Sequence, residues 1–351
     1  MKIDWRAAFQ IAAVYIGTVV GAGFATGREI VEFFSRFGLY GLGGILIAGY
    51  LLIFLGSQLL RVAAFIGASS YEQFNEYLFG KLFGRLINLL MFLMLIGVGA
   101  VMLSGAGAVF EEQLGMSKHT GVFITLLLTA AVMAVGMKGL FAVNVFVVPM
   151  MIIFSFILLY FSMQLPNVLS NVAKMSESAK WWEVIFSPVS YTAFNLSLAQ
   201  AVLVPVAAEI KNDRTLKWGG ILGGLGLTVI LLSSHLTLVM LPEIEAYEIP
   251  MAVIMKDLAP GLYWVFLVII YGEIFTSIIG NMFGLDRQIQ GYVRVPRLLT
   301  VTAIFIVSYV ISMVNYGTLL SYLYPIFGYI SIIFVIFLWM KPLPAAGGRR
   351  K

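Results

Sequence analysis

The sequence predicts an all-α integral membrane protein of about ten transmembrane helices, on three observations. The chain of 351 residues is 61% hydrophobic and 11% charged, against roughly 25% charged in ordinary globular domains. Apolar runs of the roughly 20 residues that a helix needs to cross a bilayer core of ~30 Å recur from end to end. These runs are too long and too evenly apolar for outer-membrane strands, which alternate every second residue over roughly ten positions. Soluble folds and β-barrels are therefore excluded.

Charged and Gly/Pro punctuation divides the chain into ten segments: 7–34, 39–60, 84–110, 119–136, 140–163, 186–208, 217–241, 260–285, 297–314 and 317–340. The N-terminal MKIDWRAAFQ leads straight into a run longer than a signal-peptide core, with no small-residue cleavage site after it, and is expected to be retained. The longest polar stretch, Gln164 to Glu183, splits a single membrane domain, 1–351, into five-helix halves at 7–163 and 186–340. A second polar segment, Pro242 to Pro260, mixes acids with Ile249, Met251 and Val253 and predicts a short amphipathic helix at the membrane interface.

An even helix count puts both termini on one side. Placing them in the cytoplasm, with 341–351 as a short tail, collects 16 of the 22 Lys and Arg residues inside. Arg28, Arg36, Lys118, Lys174, Lys180 and Lys256 remain outside, the asymmetry the positive-inside rule requires. Five helices followed by five invert the second copy in the membrane, a layout typical of transporters. The net charge of +5 comes with no basic run suited to nucleic acid. With no cysteine, disulfides, thiolate metal sites and cysteine nucleophiles are impossible.

The first segment reads AAVYIGTVVGAGFATGREIVEFF, with glycines at 17, 21, 23 and 27. Glycine lowers helix stability by roughly 1 kcal/mol relative to alanine and lets backbone approach a ligand. Spacing alone leaves a close-packing face and an unwound segment as equal alternatives. Arg28-Glu29 follow directly, and ionisable groups in a span face protein or a water-filled cavity unless they form an ion pair at its outer end. If the helix unwinds at Gly21-Ala22-Gly23, the amides that begin the next turn suit a carboxylate, and the carbonyls before the break suit a hard cation such as sodium.

The sixth segment holds Asn195, Ser197, Gln200 and Pro205, and is read either as a second break or as a kinked packing helix with its polar groups internally bonded. A break there falls at Phe194 to Ser197 or near Ala201. The eighth segment places the hydroxyls of Thr276 and Ser277 one turn after Glu273, a carboxylate in mid-span. Asn144, His235 and Asn281 are read as interhelical hydrogen bonds. No metalloprotease, nucleophile-elbow or phosphate-loop motif is present, and the chain is expected not to be an enzyme.

The stretch GTVVGAGFATGREIVEFF resembles the first helix of the YkvI-like bacterial membrane proteins of the amino acid-polyamine-organocation superfamily, and the resemblance extends over nearly the whole chain. It implies the LeuT fold: ten core helices in two inverted five-helix repeats, with helices one and six broken around a central substrate, in the bacterial inner (plasma) membrane. It also implies a sodium site made of the Gly17 and Val20 carbonyls, the Thr276 and Ser277 hydroxyls and the Glu273 carbonyl. The substrate site would be lined by Gly21, Ala22, Gly23 and Thr26 from helix one, Ser104 from helix three, and Phe194, Asn195 and Ser197 from helix six. One departure stands out: helix three lacks the tyrosine that caps substrate in several amino-acid transporters of this fold, and the Gly105-Ala106-Gly107 run implies a roomier pocket.

The leading expectation is a sodium-coupled secondary transporter of a small carboxylate-bearing metabolite such as an amino acid, working by alternating access. The alternatives are a proton-coupled transporter of another small organic solute and a non-transporting sensor of the same fold. The partners expected are the substrate and the lipid bilayer, with no nucleic acid.

Overall fold

The computed structural model describes residues 2–135, 138–166, 168–175, 180–210, 212–292 and 296–342; within these, the side chains at 134–148, 283, 287, 290–292, 297 and 298 lie outside the description. Asn144 and the 343–351 part of the tail fall outside it too. Among the described residues there are helices and turns but no strand, apart from an isolated bridge between Gly38 and Met175.

Each segment expected to be helical contains helix. The first is in three pieces, α1 (Trp5–Val19), α2 (Ala22–Thr26) and α3 (Arg28–Phe33). It is followed by α4 (Leu39–Ile66), α5 (Tyr71–Ala108), α6 (Lys118–Val135), α7 (Lys138–Ser162) and a short α8 (Val168–Val172). The second half contains α9 (Trp181–Glu209), α10 (Asp213–Leu238), α11 (Pro250–Leu258), α12 (Tyr263–Tyr292), α13 (Arg297–Ser312) and α14 (Tyr316–Met340). Six stretches of described helix are long and apolar enough to cross a membrane: those of α4, α5, α9, α10, α12 and α14. Lys118–Met133, Pro149–Ser162 and Leu299–Ser312 are shorter apolar helices.

Local chemistry sets the ends. Asp4 accepts from the Ala7 N–H to open α1, Ser70 caps α5, and Asn212 accepts from Arg214 and Thr215 to open α10. Gly80, at φ 78°, bends α5 after its first turns, and a π-helical turn, Val109–Gln113, ends it.

The glycines of α10 bring it close to both α1 and α4. A Cβ on Gly219 would lie 2.7 Å from Ile11 of α1, and one on Gly220 would lie 2.5 Å from the Ser57 Cα of α4. Gly223 and Gly224 repeat the pattern against Tyr15 and the Ile53 backbone. Small residues at this spacing let helix backbones approach closely in lipid. The Tyr15 hydroxyl, buried in this junction, donates to the Leu52 carbonyl at 2.9 Å.

Two expectations are corrected. Helix six is not broken: α9 runs continuously through both Pro188 and Pro205. The Thr192 hydroxyl donates to the Pro188 carbonyl at 2.9 Å and the Asn195 amide to the Tyr191 carbonyl at 3.1 Å, so side chains occupy carbonyls of their own helix. The amphipathic element at 242–260 is α11, and its apolar face is covered by protein, with Met251, Ala252, Ile254 and Met255 all buried.

Candidate site at the helix break

The first helix unwinds where its glycines cluster. The Val20 N–H makes the last helical bond of α1, to the Ile16 carbonyl at 2.8 Å. The backbone is then extended at Gly21 (φ −114°, ψ −168°), and α2 begins with the Ala25 N–H bonded to the Gly21 carbonyl at 2.9 Å. Helix ends leave carbonyls and amides without intrahelical partners. Here the carbonyls of Gly17 to Val20 meet the amides that open α2. That second helix has only five residues, too short for a full macrodipole.

Gly27, in the left-handed region at φ 83°, separates α2 from α3 and sends Arg28 and Glu29 to different neighbours. They do not form an ion pair. Arg28 Nη1 donates to the Glu245 and Tyr247 carbonyls at 2.6 and 2.9 Å. Glu29 is 4% exposed, and its Oε1 accepts from Asn195 Nδ2 at 3.1 Å. Its Oε2 lies against Gly23, 2.6 Å from where a Cβ would stand. The same Cβ would be 3.4 Å from the Tyr324 ring, which packs on Phe194 with centroids 4.5 Å apart. Thr26 donates to the Gly23 carbonyl at 3.1 Å and shares a 2.8 Å hydrogen bond with the Tyr316 hydroxyl.

On the other flank, Ser277 Oγ lies 3.6 Å from the Cβ position of Gly21. Thr276 donates back to the Glu273 carbonyl at 3.1 Å, so that carbonyl is already engaged by a member of its own set. The Glu273 side chain is 2% exposed, and its Oε2 has no hydrogen-bond partner among the described residues. Glu273, Ser277, Gly280 and Gly284 recur at i, i+4, i+7 and i+11, one face of a helix. That face is turned away from the strongly exposed Trp264, Val265 and Val268. It borders open space, since nothing lies within 4 Å of a Cβ on Gly280 and only Leu95, at 3.9 Å, near one on Gly284.

The opposite end is shut. Glu112 accepts from the Ile249 N–H at 2.9 Å, Glu248 accepts from the Gly317 N–H, and Lys118 donates to the Val314 carbonyl at 2.7 Å. Met251 of α11 sits over Gly27.

Of the expected substrate residues, Gly23, Thr26, Phe194 and Asn195 gather around Glu29, and Gly21 faces Ser277. Ala22 is buried within α2, and Ser197 is buried with its hydroxyl lacking a partner among the described residues. Ser104 donates its proton to the Val314 carbonyl at 2.7 Å and has no second one to offer a substrate. Nor is the Gly105-Ala106-Gly107 run roomy: a Cβ on Gly105 would be 2.9 Å from the Tyr316 ring, and one on Gly107 would be 2.7 Å from Lys118. His235 pairs across helices with Ser35 at 3.0 Å, the role expected of it.

No protein-family model matches the sequence. The chain is 47% identical to the Bacillus subtilis membrane protein YkvI over 352 aligned positions, covering 98% of this chain and 99% of that one. The chain belongs to the YkvI family. It is also 21% identical to B. subtilis YyaD over 97% of its length and 98% of that protein's. In fold, this YkvI-family chain is similar to the Eremococcus coleocola manganese transporter. A variant of that protein superposes with a TM-score of 0.64 at 14% identity, over 96% of this chain and 79% of the other. Its complex with an aromatic bis-isothiourea compound gives 0.61 at 15%, with the same coverage.

Sequence reasoning did not place Glu29, Tyr316 or Tyr324 in the site of this YkvI-family protein. Glu29 carried a signal, an acid inside a span. The tyrosines carried none, since Tyr316 stands 290 residues from its partner Thr26. A tyrosine does reach the break, from α14 rather than from helix three.

Proposed function

We propose that the chain is a secondary active transporter, sodium-coupled, moving a small carboxylate-bearing metabolite such as an amino acid by alternating access. The observation that carries this reading is the interruption of α1 at Val20 and Gly21, with the Ser277 hydroxyl on one flank and the Glu29–Asn195 pair on the other. A broken helix at mid-membrane supplies carbonyls and amides at one point, as solute transporters require. The inverted repeats 7–163 and 186–340, and cytoplasmic termini, belong to the same reading. The hydrogen bonds of Arg28 to the Glu245 and Tyr247 carbonyls close the outer side of the break in this reading.

Sodium is a hard cation that takes oxygen ligands, and the oxygens available fit it. The Gly17 and Val20 carbonyls, the Thr276 and Ser277 hydroxyls and the Glu273 carbonyl form the proposed set. The unpartnered Glu273 carboxylate oxygen adds charge that a carbonyl does not. Manganese is not carried over from the structural neighbours. The break presents hydroxyls, an amide and single carboxylates, and no cluster of three His, Cys, Asp or Glu that could hold a metal occurs among the described residues.

Purified protein in proteoliposomes, offered labelled amino acids with and without an inward sodium gradient, tests the reading. Sodium-stimulated uptake is expected. Thr276→Ala with Ser277→Ala, which removes two of the proposed ligands, is expected to raise the sodium concentration for half-maximal uptake at least about tenfold, the equivalent of about 1.4 kcal/mol. Uptake driven equally well by a proton gradient, and indifferent to both substitutions, would remove sodium. Ligand-induced stabilisation without flux would make the protein a sensor.

Gly23→Ala is a second expected loss. The added methyl meets Glu29 Oε2 at 2.6 Å and Glu29 Cβ at 3.2 Å, so the carboxylate has to leave its place beside the break. Uptake should fall at least about tenfold while the protein still purifies as a monodisperse peak, since overpacking by one methyl costs roughly 1–3 kcal/mol.

A further inference from the structure

The transporter reading uses the Glu29–Asn195 pair but not the missing counterion of Glu29. Glu29 is a carboxylate 4% exposed, inside the bundle, with a neutral amide as its hydrogen-bonding partner. The nearest cation in sequence, Arg28, is committed to the Glu245 and Tyr247 carbonyls. Around the carboxylate stand Asn195 from α9, Gly23 from α2 and Tyr324 from α14, none of which brings a positive charge. Buried carboxylates are costly unless paired or protonated, and one without a counterion in a membrane protein is a place where positive charge, as a proton or a cationic group, can arrive.

Its position decides which charge. Glu29 Oε2 touches Gly23, the second residue of α2, and so lies directly beside the break where the proposed substrate binds. A substrate carboxylate placed on the Gly23 amide would meet this oxygen at close range, and like charges at such separations repel strongly in a low-dielectric site. An ammonium there would be attracted by the same oxygen.

We propose that Glu29 is the substrate's amine-recognition group, so that the site takes solutes carrying a protonated amino group and rejects the isosteric solutes that carry a hydroxyl instead. The proposal rests on the break being a solute site and deepens that reading. In it, Asn195 holds Oε1 and leaves Oε2 turned toward the break. A zwitterion would put its ammonium on Glu29 and its carboxylate toward Gly21 and Ser277. The amine, and not the acid, is then the obligatory group.

Binding is measured without flux, on purified protein in nanodiscs, by thermal stabilisation. The probes are an equimolar pool of the twenty proteinogenic amino acids, a pool of the matching 2-hydroxy acids, and a pool of the matching decarboxylated amines. The amino acids and the amines are expected to stabilise the protein and the hydroxy acids are not. Glu29→Gln, which keeps an acceptor for Asn195, should weaken the half-maximal response to the amino-containing pools at least tenfold, and Glu29→Asp should recover part of it. Gly43→Ala, on the exposed side of α4 and remote from the break, should leave the response to every pool unchanged. The proposal is overturned if hydroxy acids stabilise as well as amino acids, if Glu29→Gln responds like the native protein, or if neither amino-containing pool has any effect. Amine binding that needs Glu29 but is accompanied by no uptake in proteoliposomes would sink the transporter reading alone.

Discussion

Gly220→Val is expected to destabilise the protein more than any single substitution at the break. At this position a Cβ would stand 2.5 Å from the Ser57 Cα and 2.8 Å from the Ser57 nitrogen. Both are backbone atoms of α4, so no rotamer change relieves the clash. The two helices must part, and the neighbouring contact of Gly224 with the Ile53 Cα, at 2.6 Å, opens with them. Overpacking costs typically 1–3 kcal/mol, and parting a whole helix pair in lipid adds the lost contacts on either side. A loss of about 3 kcal/mol or more is the expected result, read as a lower midpoint in thermal or denaturant unfolding of the detergent-solubilised protein. Gly43→Ala is the control. Gly43 lies on the exposed side of α4 with nothing within 4 Å of its Cβ position, and alanine there should be neutral or stabilising by up to about 1 kcal/mol. Equal midpoints for the two variants would mean that α10 does not lie on α4 as closely as described.

The helices of the fold were legible because their signal is local. Twenty apolar residues in a row have few folds available in a bilayer, and the helices fall where the runs lie. The break in the first helix was legible for the same reason, since Gly21 and Gly23 weaken the very turn that opens. Helix six carried similar marks, with Asn195, Ser197 and Pro205, yet stays continuous. The difference lies in where the side chains bond: Asn195 and Thr192 return to carbonyls of α9 itself, at Tyr191 and Pro188. Composition cannot distinguish a polar residue that serves its own helix from one that opens it. The site's tyrosines were invisible for another reason. Tyr316 reaches Thr26 only through the tertiary arrangement of α14 against the first helix, and no spacing in the sequence encodes it. The glycines of α10 form the small-residue packing face that was weighed for the first helix, displaced by two hundred residues.

Asn195→Leu should be the most damaging change at the site, and its comparison with Glu29→Gln separates structure from charge. Asn195 Nδ2 makes the hydrogen bond to Glu29 Oε1, at 3.1 Å, with both residues buried. Leucine is close in size but cannot donate, so the carboxylate keeps its burial and loses its partner. Hydrogen bonds to charged groups contribute about 1.5–3 kcal/mol, and stranding the acceptor adds its desolvation cost. A destabilisation of about 2–3 kcal/mol is expected in the unfolding midpoint. Removing both groups should cost less than the sum, because replacing two hydrogen-bonded partners by apolar groups strands neither. A double-mutant cycle of Asn195→Leu with Glu29→Leu is therefore expected to show a coupling of at least about 1 kcal/mol, within the range measured for residues in contact. Glu29→Gln keeps the acceptor and loses only the charge, so it should unfold near the native midpoint. Coupling close to zero would mean that the two side chains do not meet, and the carboxylate would then lack the orientation toward Gly23 on which amine recognition depends.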